Sequence, residues 1–149
     1  MKRSKRLQVI VDIKASQEKK ALEMLGRSQR QHTQMKGQVE GLSSYRSDYV
    51  DKCNAFAKDG VKVSRLIEFR SFIDKLDIAI SGQEKILKNM EQDVFLKRQT
   101  WEAMYQRTQT IQKVRESALK VEQHHENKRE QREQDEHASR LGYKKYTAT

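Results

Sequence analysis

Lys58-Asp59-Gly60-Val61-Lys62-Val63-Ser64 decides the fold, because a helical pattern that runs through almost the whole chain breaks there and restarts. Gly60 tolerates the positive φ that reverses a backbone, and Asp59-Gly60 is a common turn pair. Ser64 stands where the N-cap of a following helix is expected.

On either side of this turn the apolar residues keep a heptad spacing. With Val11 at an a position, the a and d sites upstream are Leu7, Val11, Lys14, Glu18, Ala21, Leu25, Ser28, His32, Met35, Val39, Leu42, Arg46, Tyr49, Cys53 and Phe56. That seam is apolar at its ends and interrupted by polar residues between. Such residues weaken a coiled coil but fix its register. Downstream, with Leu66 at a, the sites run Leu66, Phe69, Ile73, Leu76, Ile80, Gln83, Leu87, Met90, Val94, Lys97, Trp101 and Met104, ten of these twelve being apolar. A disordered chain has no reason to keep that period. The pattern fades beyond Ala118.

Folding the chain at the turn tests the two frames against each other. In an antiparallel pair a layers meet d layers, and here Tyr49 meets Ile73, Leu42 meets Ile80, Ala21 meets Trp101 and Val11 meets Ile111. The two numbers of each pair add to 122, which centres the fold on Val61. The chain is therefore read as all-α, a long antiparallel two-helix coiled-coil hairpin forming a single domain over 1–149. Arm one is 5–57, the turn 58–64, arm two 65–140, and a loose tail 141–149 starts at the helix-stopping Gly142. Arm two overshoots arm one, leaving a charged helix beyond about residue 118 that needs a partner.

Composition agrees. The 149 residues include no proline, 35% charged and 35% hydrophobic residues, with a mean hydropathy of -1.00. A narrow seam needs no more apolar residues than that, whereas a compact core usually takes about 45–50%. The net charge of +10 is concentrated early: residues 1–30 hold nine Lys or Arg against three acids. An acidic partner is expected at that end. Nucleic acid is disfavoured, because stacking aromatics and a recognition fold are missing. One cysteine, Cys53, excludes an intrachain disulfide and fits a reducing cytoplasm. No apolar run approaches a membrane span, and Met1–Arg6 with Leu7–Ile13 is too short and too polar for a signal peptide.

Nothing in the chain has the spacing of a catalytic motif, and no enzyme activity, cofactor or metal is expected. His124, His125, Glu126 and His137 do not form a metal-binding spacing and are read as a solvated helix face. Cys53, on the seam beside Phe69, is read as a packed residue.

The surplus apolar residues are more informative. Tyr45, Phe72 and Ala79 fall at g positions, and with their neighbours they make two stripes: Gln38, Leu42, Tyr45, Tyr49 on arm one and Phe72, Leu76, Ala79, Gln83 on arm two. Pairs across the stripes add to 121, placing both on one side of the hairpin near its turn. The stripes either widen the core or form a docking face rimmed by charge. Gly37, Gly41 and Gly82 lie nearby on the outer surfaces, marking either close approach of a partner or tolerance in a flexible shaft.

These eight residues, with the hairpin, the basic start and the polar last helix, resemble the FliJ family of flagellar type III protein export. They match in type and spacing that family's patch for docking the cytoplasmic domain of the export gate, except that Gln83 stands where a histidine occurs. The resemblance implies a non-catalytic stalk, cytoplasmic and peripheral to the inner membrane at the flagellar base. Its open end would enter the hexameric flagellar export ATPase, as the γ subunit enters rotary ATP synthases, and it would also escort substrate-specific export chaperones. On this chain the ring contacts so implied are Lys2, Arg3, Lys5, Arg6, Lys14, Lys120, Lys128, Arg129 and Arg132. A general cytoplasmic coiled-coil chaperone or self-associating scaffold is the alternative.

Overall fold

The computed structural model describes residues 2–147. They form two helices, α1 (Arg3–Lys58, 56 residues) and α2 (Val63–Thr147, 85 residues), packed antiparallel as a hairpin. Gly60 carries the reversal with φ +83°, as its lack of a Cβ allows. The N-cap does not fall at Ser64: the Lys62 carbonyl accepts the first bonds of α2, from the Arg65 and Leu66 amides, so Ser64 lies inside the first turn. A second correction concerns the tail. α2 continues through Gly142 to Thr147, since an exposed helix can carry one glycine at a cost of about 1 kcal/mol. Lys144 and Lys145 in the last turn also suit the negative end of the helix dipole. The rest of the expected tail, 148–149, lies outside the described residues.

Contacts divide the chain into two compact units. One is Lys19–Ala103, containing the turn. Its core is the seam read from the heptads: Ala21, Leu25, Val39, Cys53, Leu76 and Ile80 are buried, and the other a and d residues are at least half-buried, with one exception. That exception is the layer next to the turn. Phe56 stays 56% exposed and Leu66 38%, because no further layer lies above them. The other unit joins the chain up to Glu18 with the chain from Met104 onward. Ser4, Val11, Thr108 and Ala118 are its buried residues. Among the described residues no side chain is sealed below 2% exposure, as expected when each helix has only one neighbour to cover it.

Three polar interruptions of the seam, Ser28, His32 and Arg46, are answered across the hairpin. Ser28 donates to Asp93 at 2.8 Å, and Lys97 donates to the other oxygen of the same carboxylate at 3.2 Å. His32 Nε2 lies 3.3 Å from Glu91 Oε1. Arg46 donates to both oxygens of Asp77, from Nε and, at 3.3 Å, from Nη2. The a residues His32 and Arg46 thus reach carboxylates at e positions, and the d residue Ser28 reaches one at g.

Candidate docking face and open end

Near the turn, five aromatic rings crowd one region. Tyr49 is the centre: its ring lies 4.7 Å from Phe72, 6.1 Å from Phe69 and 6.4 Å from Tyr45. Tyr45 meets Phe72 edge-on at 6.5 Å, and Phe56 leans on Phe69 at 6.2 Å. Edge-to-face contacts of this kind add about 0.5–1.5 kcal/mol each beyond burial. The phenol of Tyr49 is pushed up from its ordinary pKa, first by burial and then by the Cys53 thiol, which is itself buried.

The eight residues of the expected patch separate by depth. Gln38, Tyr45, Phe72 and Ala79, all at g, are exposed, with Tyr45 at 53%. Leu42, Tyr49 and Gln83 are half-buried beneath them, and Leu76 is core at 8%. The stripes therefore widen the seam with their a and d members and present a surface with their g members. Gln83 Oε1 is buried with no donor near it. Phe56 and Phe69, read only as seam residues, belong to the ring cluster; their aromatic character next to Tyr49 was the available signal.

At the open end the chain begins α1 on Arg3-Ser4-Lys5-Arg6, with no acidic residue in the first turn. Free N–H groups and the positive end of the helix dipole sit there among like charges. The remedy comes from the other helix. Glu122 accepts the Ser4 amide at 3.0 Å and the Ser4 hydroxyl at 2.6 Å, capping α1 from outside its own sequence. These bonds, with Lys2 nearby, hold the Glu122 carboxyl below its ordinary pKa against the opposing effect of burial. Heptad spacing puts Glu122 where the seam has ended; the structure nonetheless makes it a grip on α1.

Of the expected ring contacts, Lys2, Arg3, Lys5, Arg6, Lys120, Lys128, Arg129 and Arg132 are exposed and Lys14 is half-buried. Arg129 is already engaged by Glu126 at 2.8 Å and Glu133 at 3.9 Å. Beside the basic residues lie Val114, Leu119 and Val121, exposed apolar residues that the sequence shows as a stripe drifting off the seam before it fades. From 127 to 147 every residue of α2 is exposed. The rings of His124 and His125 are 6.4 Å apart. Among the described residues no group of three or more His, Cys, Asp or Glu could hold a metal ion, and no helix is long and apolar enough to cross a membrane.

These features define an antiparallel coiled-coil hairpin with a ring-rich face by its turn and a basic, cross-capped open end. Residues 3–146 match the family described as flagellar FliJ protein. The chain belongs to that family and is a flagellar export-related protein. Among curated proteins it is similar to the flagellar FliJ proteins of Escherichia coli (strain K12) and Salmonella typhi, each 27% identical over 139 residues that cover 93% of this chain and 95% of the relative. No solved structure matches it.

Proposed function

We propose that the protein is a non-catalytic stalk of flagellar export that docks on the cytoplasmic domain of the export gate through the face around Tyr45 and Phe72. Its open end inserts into the hexameric export ATPase, and it also hands over substrate-specific chaperones. This work takes place in the cytoplasm, against the inner membrane at the flagellar base. One observation supports the docking assignment most: Tyr45 and Phe72 stay exposed although the seam beneath them is already closed by Leu76 and Ile80. Large rings held open to water on one side are poor for solubility unless a partner covers them.

The test is Tyr45→Ala with Phe72→Ala in the full chain. Helicity is expected to persist, and the melting temperature to fall only a few degrees, because the two rings contribute edge contacts and not the sealed core. Binding of the purified gate domain is expected to drop at least tenfold. Retained gate binding, or collapse of the helices, would refute the assignment.

A further inference from the structure

The unit that joins the start of α1 to the chain from Met104 onward carries an exposed strip of its own. One surface groove there is lined by Arg3 of α1 and by Val114, Ser117 and Val121 of α2. Arg3, Val114 and Val121 are g positions and Ser117 is a c position, so the groove marks the side on which the c and g residues of both helices lie. On that side α1 adds Arg6, Ile10 and Ile13, and α2 adds Arg107 and Thr110; all nine residues are exposed and none is acidic. Of the four acids within 3–18 and 104–124, Asp12 and Glu116 stand at b positions on the opposite side, and Glu18 and Glu122 stand on the seam. Glu122 also borders the groove, yet its two oxygens are taken by the Ser4 amide and hydroxyl.

The strip is ordered along its length. Residues whose numbers add to 122 share a level, so Val114 falls beside Ile10, and Arg107 lies just past Ile13. Val114, Ile10 and Ile13 therefore occupy the middle, with Arg3 and Arg6 toward one end and Arg107 at the other. The seam beneath is already closed by the buried Val11 and Ala118. Ile13 at 52% and Val121 at 56% exposure consequently add little to the hairpin's own core. Aliphatic side chains bracketed by arginines on one helical face are the chemistry of an interfacial helix: the long cationic chains reach the headgroups while the aliphatic ones sink below them.

We propose that this strip lies on an anionic phospholipid surface, with Ile10, Ile13, Val114 and Val121 among the upper acyl chains and Arg3, Arg6 and Arg107 among the headgroup phosphates. The chain rests on the membrane and does not cross it, in keeping with helices that are not apolar enough to span one. The strip is roughly 21 Å long at 1.5 Å per residue, and two helix widths of about 10 Å give it roughly 400 Å². That is about half of what a stable protein interface covers on each partner. The small footprint counts against a folded protein and against a second copy, which would also set these three arginines against their own images. A lipid surface asks for no matching shape, because apolar burial and attraction to anionic headgroups add residue by residue. A single-stranded nucleic acid would call for stacking rings, and none stands on the strip. Arg3 and Arg6 are also expected ring contacts, so one copy serves the lipid or the ring at a given moment.

The test is sedimentation of the full-length chain with vesicles of equal parts phosphatidylcholine and phosphatidylglycerol, compared with vesicles of phosphatidylcholine alone. Binding to the mixed vesicles is expected, weakened by salt, with partitioning about tenfold lower on the neutral ones. Ile10→Gln with Ile13→Gln is expected to lower partitioning about fivefold. Arg3→Gln with Arg6→Gln is expected to lower it by a similar factor and to flatten the response to salt. Leu119→Gln with Ile78→Gln removes two exposed aliphatic residues that lie off the strip, and this pair is expected to bind as the parent does. Helicity by circular dichroism is expected to persist in every variant, because all the substituted side chains are exposed. Failure of the parent to bind the mixed vesicles refutes the proposal and leaves gate docking and ring insertion untouched, since neither partner is present. Equal binding to neutral vesicles, or equal losses in the Ile10–Ile13 and Leu119–Ile78 pairs, refutes it too. Vesicle binding that falls only with the arginines, together with duplex DNA binding that the isoleucine pair leaves unchanged, would make the strip a bare cationic patch and sink the proposal.

Discussion

Glu122 joins two parts of the chain 118 residues apart in sequence, and it does so as an ion. Its carboxylate accepts two bonds from Ser4, so its pKa in the folded protein lies below that in the unfolded chain. The stabilisation is therefore present above the unfolded pKa and is lost as pH falls through the folded one. Asp93, held down first by the Ser28 hydroxyl and then by Lys97, acts in the same direction. Glu122→Gln removes the ion and keeps the shape. At neutral pH the variant is expected to melt below the parent, and the gap is expected to close as pH falls below the usual carboxylate range. Thermal melts by circular dichroism from pH 7 to pH 3 check this. A constant gap across that range would mean that the loss is one of shape and not of charge. Nothing in the local sequence advertised this contact, because Glu122 stands at an a site where the repeat is already failing. Its partner was legible only as an unfilled need: a helix starting on Arg3-Ser4-Lys5-Arg6 lacks an acceptor of its own.

The elements themselves were legible because a heptad seam is a statement about which face is buried, and two helices leave each other one face apiece. Layers facing each other at numbers adding to 122 are consistent with the observed pairs Arg46–Asp77, Ser28–Asp93 and Tyr49–Phe72, whose members depart from that sum by one. Ends were less legible. Ser64 is a good N-cap by residue type, but the chain leaves the turn one step earlier at Lys62, and Gly142 is a good helix stop that nothing obliges to stop. Type alone does not fix φ; the reversal does. At Gly60 it demands φ +83°, a region that costs an L residue about 1–2 kcal/mol. Gly60→Ala is therefore expected to lower stability by about 1 kcal/mol in urea melts, with an unchanged slope, because the helices on both sides stay the same. A loss near zero would mean that the turn relaxes into another reversal.

At the scale of the molecule, the sequence shows a charge surplus and a helix without a partner; the structure says where the partnered part stops. Glu122 and Glu126 are the last half-buried positions, and 127–147 are exposed throughout. That segment holds Arg129 and Arg132 with acids three or four residues away, and pairs of that kind add only about 0.2–0.5 kcal/mol each to an isolated helix. Helicity there gains nothing from burial, so the segment contributes little to the cooperative unfolding of the rest. Truncation after Glu126 keeps the Ser4–Glu122 cap, whereas truncation at residue 118 would remove it and confuse the loss of an overhang with the loss of a cap. The shorter protein is expected to melt within about 2 °C of the parent, since a segment with no buried apolar area leaves the unfolding free energy of the remainder nearly unchanged. Under the stalk assignment it is also expected to lose co-assembly with the hexameric ATPase, measured by light scattering of mixtures with nucleotide. A truncated chain that still assembles would confine the ring contacts to the residues up to Glu126, namely Lys2, Arg3, Lys5, Arg6, Lys14 and Lys120. A truncated chain that melts far lower would show that the exposed helix is packed against something in solution that covers it.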